Sequence, residues 1–156
     1  MTDFESLYRS VKDDLNKLAT YLMAFGEQQV KKRGASLPFG AHLTATGEVV
    51  AQAVYTGDDP TTSAEVLPLL ERTLEIVARD DGAVAVALAE WVTARNGADS
   101  QTDAIKVLVH HSVGLAVTFY VPARKTFFHG WTFGATVAQP GAAIVSLWPA
   151  GANAGR

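Results

Sequence analysis

An alternating apolar stretch, Asp103–Pro122, constrains the fold of this chain more than any other part of the sequence. Apolar, mostly β-branched residues occupy every second position in two runs, which Ser112-Val113-Gly114 separates; this is typical of two strands joined by a turn. A three-residue loop with Gly114 in the left-handed conformation places Val107 opposite Phe119 and keeps both apolar sets on one face. A two-residue loop would put them on opposite faces. The sequence therefore predicts a hairpin with the three-residue loop.

Two segments carry the three-and-four spacing of amphipathic helices. Residues 3–33 place their large apolar side chains on one stripe and end in three cations, which complement the negative end of the helix dipole. A second helix is predicted to follow a capping sequence at residues 62–65 and to end near Gly82. Because proline removes a helical hydrogen bond, this helix either starts close to Pro68 or is kinked in its first turn.

The other apolar segments are predicted to be strands. Residues 37–55 form a hairpin in which Gly47 lies at the turn. Residues 83–93 alternate alanine with larger residues, which indicates a strand whose alanine face lets a helix approach closely. A last short strand is predicted at residues 142–148, and residues 151–156 are predicted to fray.

Together these elements predict an α+β fold with an antiparallel sheet of about five strands and two helices packed on one face. The length fits one domain, which we expect to span residues 1–150. The order of helix, hairpin, helix and three strands is similar to that of roadblock and profilin-like domains, an analogy of fold that says little about function.

Composition removes several classes of function. The chain has 13 Lys and Arg against 16 Asp and Glu, so its net charge of −3 argues against nucleic-acid binding. It has no cysteine, which excludes disulfides, thiolate nucleophiles and cysteine metal sites. No apolar run reaches the ~20 residues of a membrane span, and the N-terminus has no signal-peptide core. We therefore expect a cytoplasmic protein that does not bind membranes.

Pro38-Phe39-Gly40-Ala41 stands in the first predicted hairpin, and Asp59-Pro60-Thr61 precedes Ser63-Ala64-Glu65. On these motifs, residues 15–75 resemble the front of the cytidine and guanine deaminase superfamily. In that superfamily a histidine at the position of Ser63 and two cysteines bind zinc, and the glutamate serves the zinc-bound water. Since this chain has Ser63 and no cysteine, the comparison argues against zinc and against deaminase activity.

A broader pattern covers most of the chain. Pro38–Ala41, Tyr55-Thr56-Gly57-Asp58 and Thr102-Asp103-Ala104-Ile105 resemble a hairpin, a turn and a strand of uncharacterised bacterial proteins. That resemblance implies no activity.

The segment 124–131 interleaves cations with aromatic residues. Such a mixture suits stacking on a base or anchoring a partner protein, whereas the competing interpretation is a loop that closes one end of the core. We expect Phe127 and Phe133 to point inward and the other aromatic side chains to face a dimer mate or another partner. Four residues form this candidate binding site: Lys125, Phe128, His129 and Trp131.

A second candidate site lies on the polar face of the sheet. His42 and Glu48 are predicted diagonally across the first hairpin, where a carboxylate can tune an imidazole as a general base. Lys106 is predicted opposite Tyr120, with Asp103 on the same face. For both groups the competing interpretation is an ordinary solvated strand face.

The adjacent histidines His110 and His111 are predicted to point to opposite faces of a strand, so they do not chelate one ion. We predict no metal and no cofactor. The sequence carries none of the common nucleotide-binding or hydrolase motifs. The preferred hypothesis is a non-catalytic interaction or immunity-type protein, as a homodimer or with another protein. The alternative is a small-molecule-binding protein or enzyme with its site on the polar sheet face.

Overall fold

A computed structural model describes residues 4–36, 38–52, 63–95 and 101–149. The two helices and seven strands follow one another as α1 (Phe4–Arg33), β1 (Phe39–Leu43), β2 (Val49–Gln52), α2 (Ser63–Asp80), β3 (Ala85–Arg95), β4 (Gln101–His111), β5 (Leu115–Thr126), β6 (Gly130–Phe133) and β7 (Val137–Pro140). The α+β prediction is confirmed. The sheet has seven strands rather than about five, because the segment after β5 adds two. The predicted tail at residues 151–156 and the Tyr55–Asp58 turn lie outside the described residues, and the single domain stays a prediction.

All strand pairs are antiparallel, and the order across the sheet is β2-β1-β3-β4-β5-β6. The predicted register of the central hairpin is confirmed, since Val107 pairs with Phe119 and Gly114 has φ +98°. The first hairpin also follows its prediction, with Leu43 opposite Val49 and Gly47 at φ +89°.

Strands β6 and β7 lie along the same edge of β5. Phe133 of β6 pairs with Ala123, and Val137 of β7 pairs with Tyr120. Between these pairs, residues 134–136 lie opposite residues 121 and 122, so the segment that joins β6 to β7 has one residue more than β5. The break lies beside Pro122, which has no N–H to donate, although its carbonyl accepts a 2.8 Å bond from Gly134 N. The strand predicted at residues 142–148 is wrong, because this segment leaves the sheet edge and crosses one face as irregular chain.

The two helices pack on opposite faces of the sheet, so the prediction of both on one face is wrong. The cause lies in β3, which is apolar on both sides. Its alanines Ala85, Ala87 and Ala89 form a core with α1, as the predicted close approach of a helix requires. Val86 and Leu88 point the other way and form a second core with α2.

Gly40 has a packing reason to be glycine. A Cβ at this position would lie 2.8 Å from the Ala87 carbonyl oxygen and 3.4 Å from the δ carbons of Leu70 and Leu74 of α2. Any side chain here would force apart a central strand pair and the helix above it. The glycine of the Pro-Phe-Gly-Ala motif is thereby explained by the packing of α2 on β1.

Helix α1 matches its predicted span, with non-helical backbone angles at Val11. Helix α2 begins at Ser63 and contains Pro68, so it does not start at the proline. The second core is completed by the C-terminal segment 141–149, which contributes Val145 and Trp148. One half of the second face is therefore covered by α2 and the other half by this segment.

Candidate functional site

The aromatic segment forms the tip of the β5–β6 hairpin. The turn is closed by Thr126, whose hydroxyl accepts a 3.1 Å bond from His129 N and donates a 3.1 Å bond to Gly130 O. Phe127 and Phe128 stand at the tip with 93% and 85% of their surfaces exposed. Their rings meet edge-on, 4.8 Å apart. The tip therefore presents a pair of aromatic rings to solvent.

The predicted inward position of Phe127 is wrong, and Trp131 is not a free contact residue. Trp131 is half-buried and meets Trp91 edge-on at 5.6 Å, while Phe133 packs against the α1 core as predicted. Strand alternation ends at Thr126, so it does not apply to the turn residues on either side of Phe128. The tip of the hairpin is thus exposed, as a contact surface would be, whereas Trp131 and Phe133 at its base pack against the core.

A cavity of about 500 Å³ opens at the base of the hairpin. It lies between the C-terminal end of α1 and the strands β5 and β6. Its lining comprises Lys31, Lys32, Arg33, Gly34, Lys125, His129, Gly130 and Trp131. The predicted site residues Lys125, His129 and Trp131 thus come together, and three cations from α1 join them. The helix dipole was the only role predicted for those cations, and no local pattern connects them with residue 125.

The predicted polar-face residues are not brought together. On β1, His42 pairs with Val86 of β3. On β4, Lys106 pairs with Glu90, which lies four residues further along β3. This separates them by about 13 Å along the sheet, at ~3.3 Å per residue. The Lys106–Tyr120 pairing is confirmed. Asp103, however, lies on the opposite face, because it is three positions from Lys106 and side chains alternate along a strand.

His42 and Glu48, which were predicted to interact on the first hairpin, each have other hydrogen-bond partners. The Gln52 side-chain amide donates to Nδ1 of His42 over 3.0 Å. Glu48 is exposed at the β1–β2 turn, where its backbone N–H donates to the Thr44 hydroxyl and its carbonyl accepts from Thr44 N. No His42–Glu48 bond occurs in the described part of the chain.

His110 and His111 point to opposite faces, as predicted, and both rings are fully used. His111 donates from Nε2 to Asp14 of α1 over 2.9 Å and accepts at Nδ1 from Val113 N. An imidazole with both nitrogens engaged offers no free nitrogen for a metal or for base catalysis. This Asp–His pair therefore ties the β4–β5 turn to α1.

His110 is completely buried and holds the C-terminal segment. Its Nδ1 accepts 3.1 Å bonds from both Ile144 N and Val145 N, and its Nε2–H donates to the Pro149 carbonyl over 2.9 Å. The ring also meets Trp148 edge-on at 5.5 Å. His110 is therefore a fully hydrogen-bonded histidine on the face of the sheet that the C-terminal segment covers.

Burial lowers the pKa of His110, and the neighbouring His111 lowers it further, against hydrogen bonds to Pro149 and Trp148 that raise it. Burial likewise lowers the pKa of His42, although Asp81 opposes the shift. Protonated Nδ1 of His110 would face two N–H donors, so the folded state requires the neutral ring.

Stability is therefore expected to fall as the pH falls below about 6.5, the ordinary histidine pKa. Between that pH and the lower pKa values of the folded state, the unfolded chain binds more protons than the folded chain. Lowering the pH through this range therefore favours the unfolded state. Each histidine contributes at most ~1.4 kcal/mol per pH unit. Urea denaturation at pH 8 and at pH 5.5 measures the effect. Equal stability at both pH values would contradict this expectation.

Among the described residues, no three His, Asp or Glu side chains lie close enough to hold a metal ion together. No helix within the described ranges is long and apolar enough to cross a membrane. No protein-family model, curated protein or solved structure matches this chain.

Proposed function

We propose that this chain is a non-catalytic, cytoplasmic protein-binding protein, of the interaction or immunity type, and that the β5–β6 hairpin tip is its contact surface. The observation that carries the proposal is the exposure of Phe127 and Phe128 on a turn that is closed by its own hydrogen bonds. Two adjacent aromatic rings in water are costly to solubility, and such rings are frequent anchors of protein interfaces.

Charge around the tip defines the partner. Arg124, Lys125 and His129 flank the two rings, and they are exposed. No ion pair to these three side chains occurs among the described residues. We therefore propose a partner with an apolar recess for the rings and carboxylates around the recess, since complementary charge steers association and fixes its orientation.

The alternative, a small-molecule site on the polar sheet face, has less support. His42 lies under the α2 half of that face, and Lys106 and Tyr120 lie on strands that α2 does not contact. None of these residues lines the cavity at the base of the β5–β6 hairpin. The resemblance to uncharacterised bacterial proteins remains a hypothesis and gives no partner.

A photo-crosslinking amino acid at position 128 tests the proposal in cells. We expect one discrete protein adduct, which the same probe at Val113 does not form. Val113 is 44% exposed in the β4–β5 turn, at the opposite end of β5 from the tip. The mass of the adduct tells a second copy of this chain from another protein. A label recovered only on lipid, or equal smears from both positions, would overturn the proposal.

With the adduct protein purified, the double variant Phe127→Ala/Phe128→Ala should weaken binding about 30-fold, which corresponds to a hot-spot loss on the order of 2 kcal/mol. The reason is the loss of two desolvated rings at the centre of the contact. Calorimetric titration measures this effect, and Val113→Ala is the matched control for removal of an exposed apolar side chain. Wild-type affinity in the double variant would contradict the assignment of the tip.

A further inference from the structure

We propose that the cavity at the base of the hairpin binds a nucleoside polyphosphate. The cavity shares Lys125 and His129 with the rim of the tip but contains neither Phe127 nor Phe128, and the inference does not depend on the protein-binding function. Its volume of about 500 Å³ lies within the range of small-molecule sites.

The lining is cationic without a compensating carboxylate. Lys31, Lys32 and Arg33 come from α1, and Lys125 and His129 come from the hairpin. No described ion pair neutralises the lysine and arginine side chains of this lining. This concentration of positive charge occurs on a chain whose net charge is −3, so it is a local property of this site.

The helix dipole accounts for only part of the arrangement. Cations at the C-terminal end of α1 complement the dipole, and this alone would explain residues 31–33. It does not explain why Lys125 and His129, which belong to a different element, line the same cavity. Cations that converge from two elements suit a ligand with several negative charges along its length, such as a chain of phosphates.

Trp131 gives the ligand its second feature. The indole lines the cavity and is held edge-on against Trp91 at an interplanar angle of 83°. Beside it, Nζ of Lys31 lies 5.7 Å from the centre of the Phe133 ring, a cation–π contact that orients this lysine at the cavity wall. A fixed aromatic ring next to cations favours a flat ring joined to phosphates, because bases stack on aromatic side chains.

Calorimetric titration with ATP, inorganic triphosphate and adenosine separates the two features. We expect ATP to bind with one site per chain, triphosphate to bind more weakly, and adenosine at about 1 mM to give no heat of binding. Raising the salt from about 50 to about 300 mM should weaken ATP binding, because exposed charges are screened. Absence of ATP binding at low salt, or equal affinity for ATP and triphosphate, would overturn the proposal.

Variants identify the site. Lys32→Ala/Lys125→Ala should weaken ATP binding by about tenfold or more, since each lysine supplies a charge-assisted hydrogen bond. Lys12→Ala is the matched control, an exposed lysine on the same helix about 28 Å from Lys31 at ~1.5 Å per residue. Trp131→Leu should remove the preference for ATP over triphosphate, with a melting curve to verify folding. Equal losses from Lys12→Ala and from the double variant would overturn the assignment.

The tip variant Phe127→Ala/Phe128→Ala should bind ATP as the wild type does. In the wild type, ATP binding without a discrete crosslinked adduct would count against the protein-binding function alone, and a discrete adduct without ATP binding would count against the nucleotide site alone. A single-stranded oligonucleotide that displaces ATP at lower concentration than triphosphate does would assign the cavity to nucleic acid and overturn the proposal.

Discussion

Replacing Phe119 by alanine should lower the free energy of unfolding by roughly 3–5 kcal/mol. The ring is 5% exposed and belongs to the core between the sheet and α1. It stands on β5 opposite Val107 on one side and Ala138 on the other. Because strands flank it on both sides and a helix covers it, the surrounding side chains have little freedom to collapse into the space that the ring leaves.

Urea denaturation of wild type and Phe119→Ala measures this loss, and the chain offers a matched control. Phe127→Ala removes the same kind of ring from the turn just beyond β5, at a 93% exposed position, so its effect should stay within about 0.5 kcal/mol. Equal midpoints for Phe119→Ala and Phe127→Ala would show that the register of the central hairpin is wrong.

The register of the two hairpins followed from the sequence because a strand has a period of two. If Val107 and Phe119 share a face, the loop between the two strands must have an odd number of residues. Gly114 supplies the positive φ that a three-residue loop needs. Local information decides the result, and no distant contact is required.

The side of the sheet on which each helix packs could not be predicted from the sequence, because β3 is apolar on both faces. Its alanine face and its Val86–Leu88 face both suit a covering layer, and alternation of small and large residues does not say which helix takes which face. Strands β6 and β7 were missed for a related reason. Each has only four residues, too few to show a clear alternation, and both are ordered by pairing with β5.

The candidate sites show the same limit. The sequence indicated Lys125, His129 and Trp131 as neighbours because they lie within a few residues of one another. The three cations of α1 join them only through packing of the helix end beside β6, where Lys31 lies over Phe133. The buried role of His110 likewise depends on a return of the chain from β7 across the sheet, which no local pattern encodes.

The second large effect is expected at His110, where replacement by alanine should cost roughly 3–5 kcal/mol, as for a large buried side chain. The change removes a ring packed against Trp148 and leaves two N–H groups, of Ile144 and Val145, without their acceptor. An unsatisfied buried polar group costs about 1–3 kcal/mol, so two of them account for much of the loss. The segment 141–149 can avoid this cost only by leaving the sheet, which exposes the buried Trp148 and Val145.

Hydrogen exchange and denaturation together separate these outcomes. If the segment detaches, the amides of Ile144 and Val145 should exchange much faster in His110→Ala, while the amides of the central β4–β5 ladder remain protected. His129→Ala, which removes an exposed imidazole from the hairpin turn, should change neither stability nor exchange. Unaltered exchange at Ile144 and Val145, with wild-type stability, would mean that His110 does not hold the C-terminal segment. The cover of the second face would then depend on the burial of Val145 and Trp148 and on the hydrogen bonds of Ser146 to Glu75.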